Sequence, residues 1–130
     1  MGSYGNVAVR AARSLETGAH LSPSDAWKDA AICEYPTQAA SRKKACPRGA
    51  FIGLCEADLI RGATSTKLHS PSRNGEYAVA AANVLRDNPH LATDKKALWL
   101  IACPDQPKRP NNQMDVVIAL YNAGLLQLER

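Results

Sequence analysis

A chain of 130 residues, 45% apolar and 22% charged, is long enough to bury a core as one domain, 1–130, without a metal or disulfide staple. Its longest apolar runs, ALWLIAC and VVIALY, are too short to cross a bilayer, and MGSYGN lacks the basic and apolar regions of a secretory signal. We therefore expect a cytoplasmic protein with no membrane partner, whose four cysteines stay reduced, and whose +4 charge is concentrated: residues 42–73 hold seven bases against two acids, while acids and bases nearly balance elsewhere.

Helix signals follow one another along the chain. Val7, Ala8, Ala11 and Leu15 recur at helical spacing, and Gly18 suits the stop of a first helix over Tyr4–Thr17. Ser22 reads as an N-cap with Pro23 at the first helical position and Asp25 in the first turn, where the helix dipole favours an acid. This second helix turns Trp27, Ala30 and Ala31 inward and ends before Pro36. Pro47 is tolerated only in a first turn, so a helix cannot run through from Ser41. The third helix is expected to begin with Cys46 near the N-cap and Pro47 near the first position, and to stop around Gly62. Phe51, Ile52, Cys55 and Leu59 share its apolar face. Gly49, Gly53 and Ala57 recur every fourth residue as a flat ridge that lets another helix come close.

After the polar stretch GATSTKLHSPSRN, a fourth helix spans about Gly75 to Asn88, with Tyr77, Ala78, Ala81 and Leu85 on one face and Pro89 at its end. A fifth opens with Thr93 as N-cap and Asp94 in the first turn, is anchored by Leu98 and Trp99, and ends before Pro104. CPDQPKRPNN, with three prolines, reads as a stiff exposed connection. A sixth helix starts at Asn112, with Asp115 as the second half of an imperfect capping box. Val116, Val117, Leu120 and Tyr121 face inward, Gly124 ends it, and Leu125 and Leu126 fold back onto the core. No stretch alternates with period two. The expected fold is all-α, a compact bundle of five or six short helices with angled packing. Its 22 alanines imply slender helices set close together.

Chemistry is harder to find. Cys33, Cys46, Cys55 and Cys103 contain no C-x-x-C pair, and the histidines show no ligand spacing, so no metal site is expected. No phosphate-loop, dinucleotide or zincin motif is present, and no cofactor is implied. Cys46 is the one weak catalytic candidate. A thiol at a helix start beside Lys43, Lys44 and Arg48 is favoured as thiolate, yet no sequence spacing brings His20, His69 or His90 to it as a base. The chain leans away from being an enzyme. Anion binding fits better: Arg42, Lys43, Lys44 and Arg48 surround the free N–H groups of the third helix, with Lys67 and Arg73 in reach and Lys108 and Arg109 as a second contact. Nucleic acid is one candidate, weakened by aromatic residues that fall on core faces and by Asp25 and Asp29 on the would-be recognition helix. An acidic protein surface needs no stacking residues.

KKACPRGAFIGLCEADLIRG and NNQMDVVIALYNAGLL, with DKKALW between them, resemble a family of small bacterial proteins of unknown function. The likeness covers about two thirds of the chain. It implies a compact intracellular helical domain, sets Cys46, Pro47, Gly49, Gly53 and Cys55 within a signature, and brings no activity with it.

The expected function is a small basic regulatory module that docks an acidic protein surface or nucleoprotein complex through residues 42–73. By association with other small chains lacking catalytic motifs, it would be a phage- or mobile-element-type inhibitor of a host machine. Sequence-independent binding of nucleic acid or a phosphate ligand through the same bases is the alternative, and a thiol enzyme using Cys46 is a third.

Overall fold

A computed structural model describes residues 3–18, 22–42, 44–61, 73–103 and 112–127, with only the backbone described at 45, 73 and 74. The first helix, α1 (Tyr4–Glu16), is capped by Ser3, whose hydroxyl oxygen accepts the Asn6 N–H at 3.1 Å, and it leaves through Gly18 at φ +82°. Ser22 caps α2 (Pro23–Glu34) by accepting the Asp25 N–H, with Pro23 in its first turn. Both starts follow from hydroxyl caps that satisfy amides a helix leaves open. A single turn, α3 (Ala39–Arg42), precedes the break that Pro47 imposes, and α4 (Ala45–Glu56) begins beyond it.

Both boundaries of α4 differ from expectation. The start of α4 has Lys44 at the N-cap, so Cys46 and Pro47 occupy its second and third positions rather than the cap and first. That is still the first turn, where a missing N–H costs nothing. Its end lies at Glu56, well before Gly62. Asp58 adopts φ +63°, its N–H donates to Cys55 O, and the Leu59 N–H donates to Leu54 O, both at 3.0 Å. That pair of bonds is a Schellman stop, with Asp58 in the left-handed position that glycine usually fills. Short polar residues visit that conformation, so no glycine announced the stop.

Next, α5 (Arg73–Asp87) leads into a 3-10 turn at Pro89–Thr93 and then α6 (Lys95–Ala102). The cap of α6 is Asp94, accepting the Ala97 N–H at 3.1 Å, while Thr93 belongs to the 3-10 turn and donates its hydroxyl to His90 O. α7 (Gln113–Asn122) ends in the same way as α4. Gly124 stands at φ +73°, its N–H donates to Tyr121 O, and the Leu125 N–H donates to Leu120 O. The two chain exits then meet. Arg61 N–H donates to Leu125 O and Gln127 N–H to Leu59 O, which makes Ile60 and Leu126 an isolated antiparallel bridge. This pairing ties the end of the chain to its middle, and two residues per exit are too few for periodicity to register.

The described residues form an all-α fold, and six of its helices have eight or more residues. α7 lies at the centre and packs against α1, α4, α5 and α6. Its Val116, Val117 and Leu120 are fully buried, as the sequence pattern requires. α1 pairs with α2, and α4 pairs with α5. The α4–α5 seam is set by glycine. A Cβ on Gly53 would overlap the Gly75 Cα, and one on Gly75 would come within 2.9 Å of the Gly53 Cα. Only two glycines permit this backbone approach, and it brings Ala78, Ala81 and Ala82 of α5 into the core beside Ala50 and Leu54. Of the expected ridge, Gly53 makes the contact, Gly49 lends its carbonyl oxygen at its edge, and Ala57 is an exposed cap. Trp27 of α2 stacks at a tilt on Phe51 of α4, centroids 5.4 Å apart, and Trp99 meets Tyr77 edge-on at 5.3 Å. No helix among the described residues is long and apolar enough to cross a membrane.

Candidate functional site

Among the described residues, two places have the makings of a site: the basic start of α4, and an open cleft beside it that the sequence did not announce.

At the first, Lys44 and Arg48 are exposed and four residues apart, and Arg42 is half-buried one turn earlier. The first turn of α4 contains no acid, and no side chain caps it. Cys46 stands in that turn, half-buried. Of the remaining expected residues, Lys43, Lys67, Lys108 and Arg109 lie outside the described residues. Arg73 opens α5, and its side chain is likewise not described. Of the expected bases, Arg42, Lys44 and Arg48 are therefore described with their side chains, around the start of α4.

The cysteines divide by burial. Cys55 is closed in the core, and burial, with the nearby Glu56 charge adding to it, pushes its thiol far above the usual 9.0. Burial also raises Cys103. Both are held as thiols, the form that neither attacks nor binds metal. Cys33 is exposed on α2. Among the described residues no cluster of three His, Cys, Asp or Glu side chains is placed to hold a metal ion.

The cleft has a volume of about 630 Å³. Its floor is one face of α7, where Asn112, Asp115, Ile118, Ala119 and Asn122 recur every three or four residues. Ser3, Tyr4 and Gly5 at the start of α1, with Tyr35 at the end of α2, make one wall. Ala92, Thr93 and Lys95 make the other. Gly5 seats α1 on α7, because a Cβ there would come within 2.9 Å of the Ala119 Cβ and 3.4 Å of Asp115 O. The rings of Tyr4 and Tyr35 lie 5.2 Å apart at 44°. The Tyr4 hydroxyl donates to Ser41 O at 3.1 Å, and the Lys44 ammonium sits 5.8 Å from the centre of the same ring. Tyr4 thus joins the cleft to Ser41 and Lys44, just ahead of α4.

A polar clamp closes one end of the floor. Lys95 Nζ donates to Asp115 Oδ1 at 2.9 Å, and Asn112 Nδ2 donates to Asp115 Oδ2 at 2.8 Å. Asn112 holds φ +71°, and its side chain does not cap α7. The capping box expected at Asn112 and Asp115 is therefore a side-chain-to-side-chain bond. The carboxylate of Glu34, the residue before Tyr35, is 12% exposed. It accepts the Ser3 N–H at 3.2 Å and Asn6 Nδ2 at 3.5 Å and pairs with Arg10 at 3.6 Å. The Tyr35 phenol is raised above its usual 10.0, first by burial and then by Tyr4, Glu34 and Asp115.

The family model of a family of unknown function, DUF6979, matches residues 1–127. The chain belongs to that family. No curated protein matches it, and no solved structure does. As a DUF6979 member the protein inherits no assigned chemistry, so its site rests on the geometry above. The sequence could offer one hint of the cleft, the three-residue spacing of Asn112 and Asp115 at a helix start. Tyr4, Tyr35, Thr93 and Lys95 come from four separate segments, and only packing assembles them.

Proposed function

We propose that this protein is a small interaction module that docks an acidic protein surface through the start of α4. One observation carries the reading: Lys44 and Arg48 are exposed at a first turn that contains neither an acid nor a side-chain cap. An acidic partner meets these bases and the positive end of the α4 dipole at the same place. Rim charges of this kind set the rate and selectivity of docking more than its final strength. A module of this sort acts by occupying a surface of a larger machine, so its role is regulatory rather than catalytic. Phosphate groups of a nucleic acid are the competing acidic partner.

The test is an affinity capture with the tagged full chain, repeated with nuclease and with a Lys44→Glu, Arg48→Glu double variant. We expect a stoichiometric protein partner that survives nuclease and is lost on charge reversal. Capture that charge reversal leaves unchanged overturns the reading. Capture that nuclease abolishes assigns the surface to nucleic acid, and its affinity then falls steeply with salt because bound counterions are released.

A further inference from the structure

We propose that the cleft bounded by Tyr4, Tyr35 and the Asn112–Asn122 face of α7 binds a small organic cation, an alkylammonium or alkylguanidinium. The inference is independent of the docking surface proposed above. At about 630 Å³ the cleft is of the size that holds a small molecule. Its wall is an aromatic pair, and ring faces attract cations through their quadrupole. The Tyr4 ring already draws one, the Lys44 ammonium at 5.8 Å.

Two carboxylates from different elements act on this end of the cleft. Asp115 lines the floor, 28% exposed, and Glu34, which precedes Tyr35 and pairs with Arg10, is 12% exposed. Both carboxylates act on the Tyr35 phenol and oppose its ionisation, after burial has done so first. Beyond burial, which penalises charge of either sign, the field of these carboxylates at that hydroxyl disfavours negative charge. The positive ends of α1 and α7 are already answered within the chain. Ser3 accepts the Asn6 N–H, and Asp115 sits in the first turn of α7. The cleft is accordingly a poor place for an anion.

The chain also shows how an ammonium is held there. Lys95 Nζ lies 2.9 Å from Asp115 Oδ1, yet the Lys95 side chain is 58% exposed at the first position of α6. It is a tethered occupant at the rim. An ion pair this exposed contributes so little that displacing it reduces a ligand's affinity by no more than about fivefold. The incoming cation takes the Asp115 carboxylate, its alkyl stem rests on Ile118, Ala119 and Ala92, and the tyrosine rings cover its charged end.

The test is a titration of the isotope-labelled full chain with agmatine, followed by backbone amide shifts, with sodium acetate at equal ionic strength as the control. Saturable shifts are expected at Tyr4, Tyr35, Ile118 and Ala119, with a dissociation constant near about 1 mM. Lys95→Met removes the tethered competitor and should tighten binding about fivefold. Asp115→Asn should weaken it at least about tenfold, since a charge-assisted bond is lost. Absence of saturable shifts, shifts that acetate reproduces, or weaker binding in Lys95→Met would each overturn the proposal. Lys95 is exposed, so its variant gives an answer even if Asp115→Asn perturbs the fold.

Discussion

The α4–α5 seam and the α1–α7 seam both rest on glycine, and they end in opposite results. At the first, Gly53 and Gly75 bring two backbones into contact, and the alanines around them are buried. At the second, a Cβ on Gly5 would meet the Ala119 methyl and the Asp115 carbonyl oxygen, and the same residues line the cleft. What differs is the chemistry flanking the glycine. Ala50, Leu54, Ala78 and Ala82 have nothing to keep in water, so their faces seal. Asn112, Asp115 and Asn122 line the open face of α7, and burying that face dry would leave their polar groups short of partners. α4 and α5 therefore seal against each other while one face of α7 stays open, and the open face is where a ligand can be met.

The contrast can be broken hardest at Gly53. Gly53→Ala places a methyl group against the Gly75 backbone, which has no rotamer to escape through, so α4 and α5 must separate. We expect a loss of about 3 kcal/mol in urea unfolding, the upper part of the range for an overpacked core. A loss below about 1 kcal/mol would mean that the seam yields, and that the two glycines do not set the interhelix distance. Gly5→Ala is the matching change on the open side. The first turn of α1 can tilt toward the cleft to relieve the clash, so about 1 kcal/mol is expected, and Ala119→Gly in the same chain should restore most of it. Equal costs at Gly5 and Gly53 would erase the distinction between the two seams.

A third measurement sharpens the comparison through pH. In the folded protein the Cys55 thiol is held far above 9.0, while in the unfolded chain it ionises near that value. The folded state therefore keeps a proton that the unfolded state gives up. The resulting stability is whole below pH 9 and falls as pH rises above it, by about 1 kcal/mol at pH 10. Cys55→Ala should flatten that decline when thermal midpoints are compared at pH 8 and pH 10. A decline of equal slope in the variant would assign the effect to another group.

Much of the fold was legible because it rests on short-range signals. Ser22 with Pro23, Gly18, Gly124 and the 3.6-residue rows of Val7, Ala11, Leu85 and Leu120 each act within one or two turns, and each element formed where they pointed. Failures came where two residue types can do the same job. Asp58 took the left-handed position at the end of α4, and Asp94 capped α6 in place of Thr93. The candidate site was legible only in its basic half. Lys44 and Arg48 are close in sequence, so a local reading could pair them, whereas Tyr4, Tyr35, Lys95 and Asp115 are separated by most of the chain.

By itself, then, the sequence determined which segments are helical, which faces are apolar and where positive charge gathers. Those properties depend on neighbours within a few residues, whose spacing is built into the chain. Tertiary structure alone decided that Gly53 meets Gly75, that Ile60 pairs with Leu126, and that one face of α7 stays open beneath two tyrosine rings. Such pairings depend on how several helices share a limited volume, and no local pattern encodes which partner each face finds.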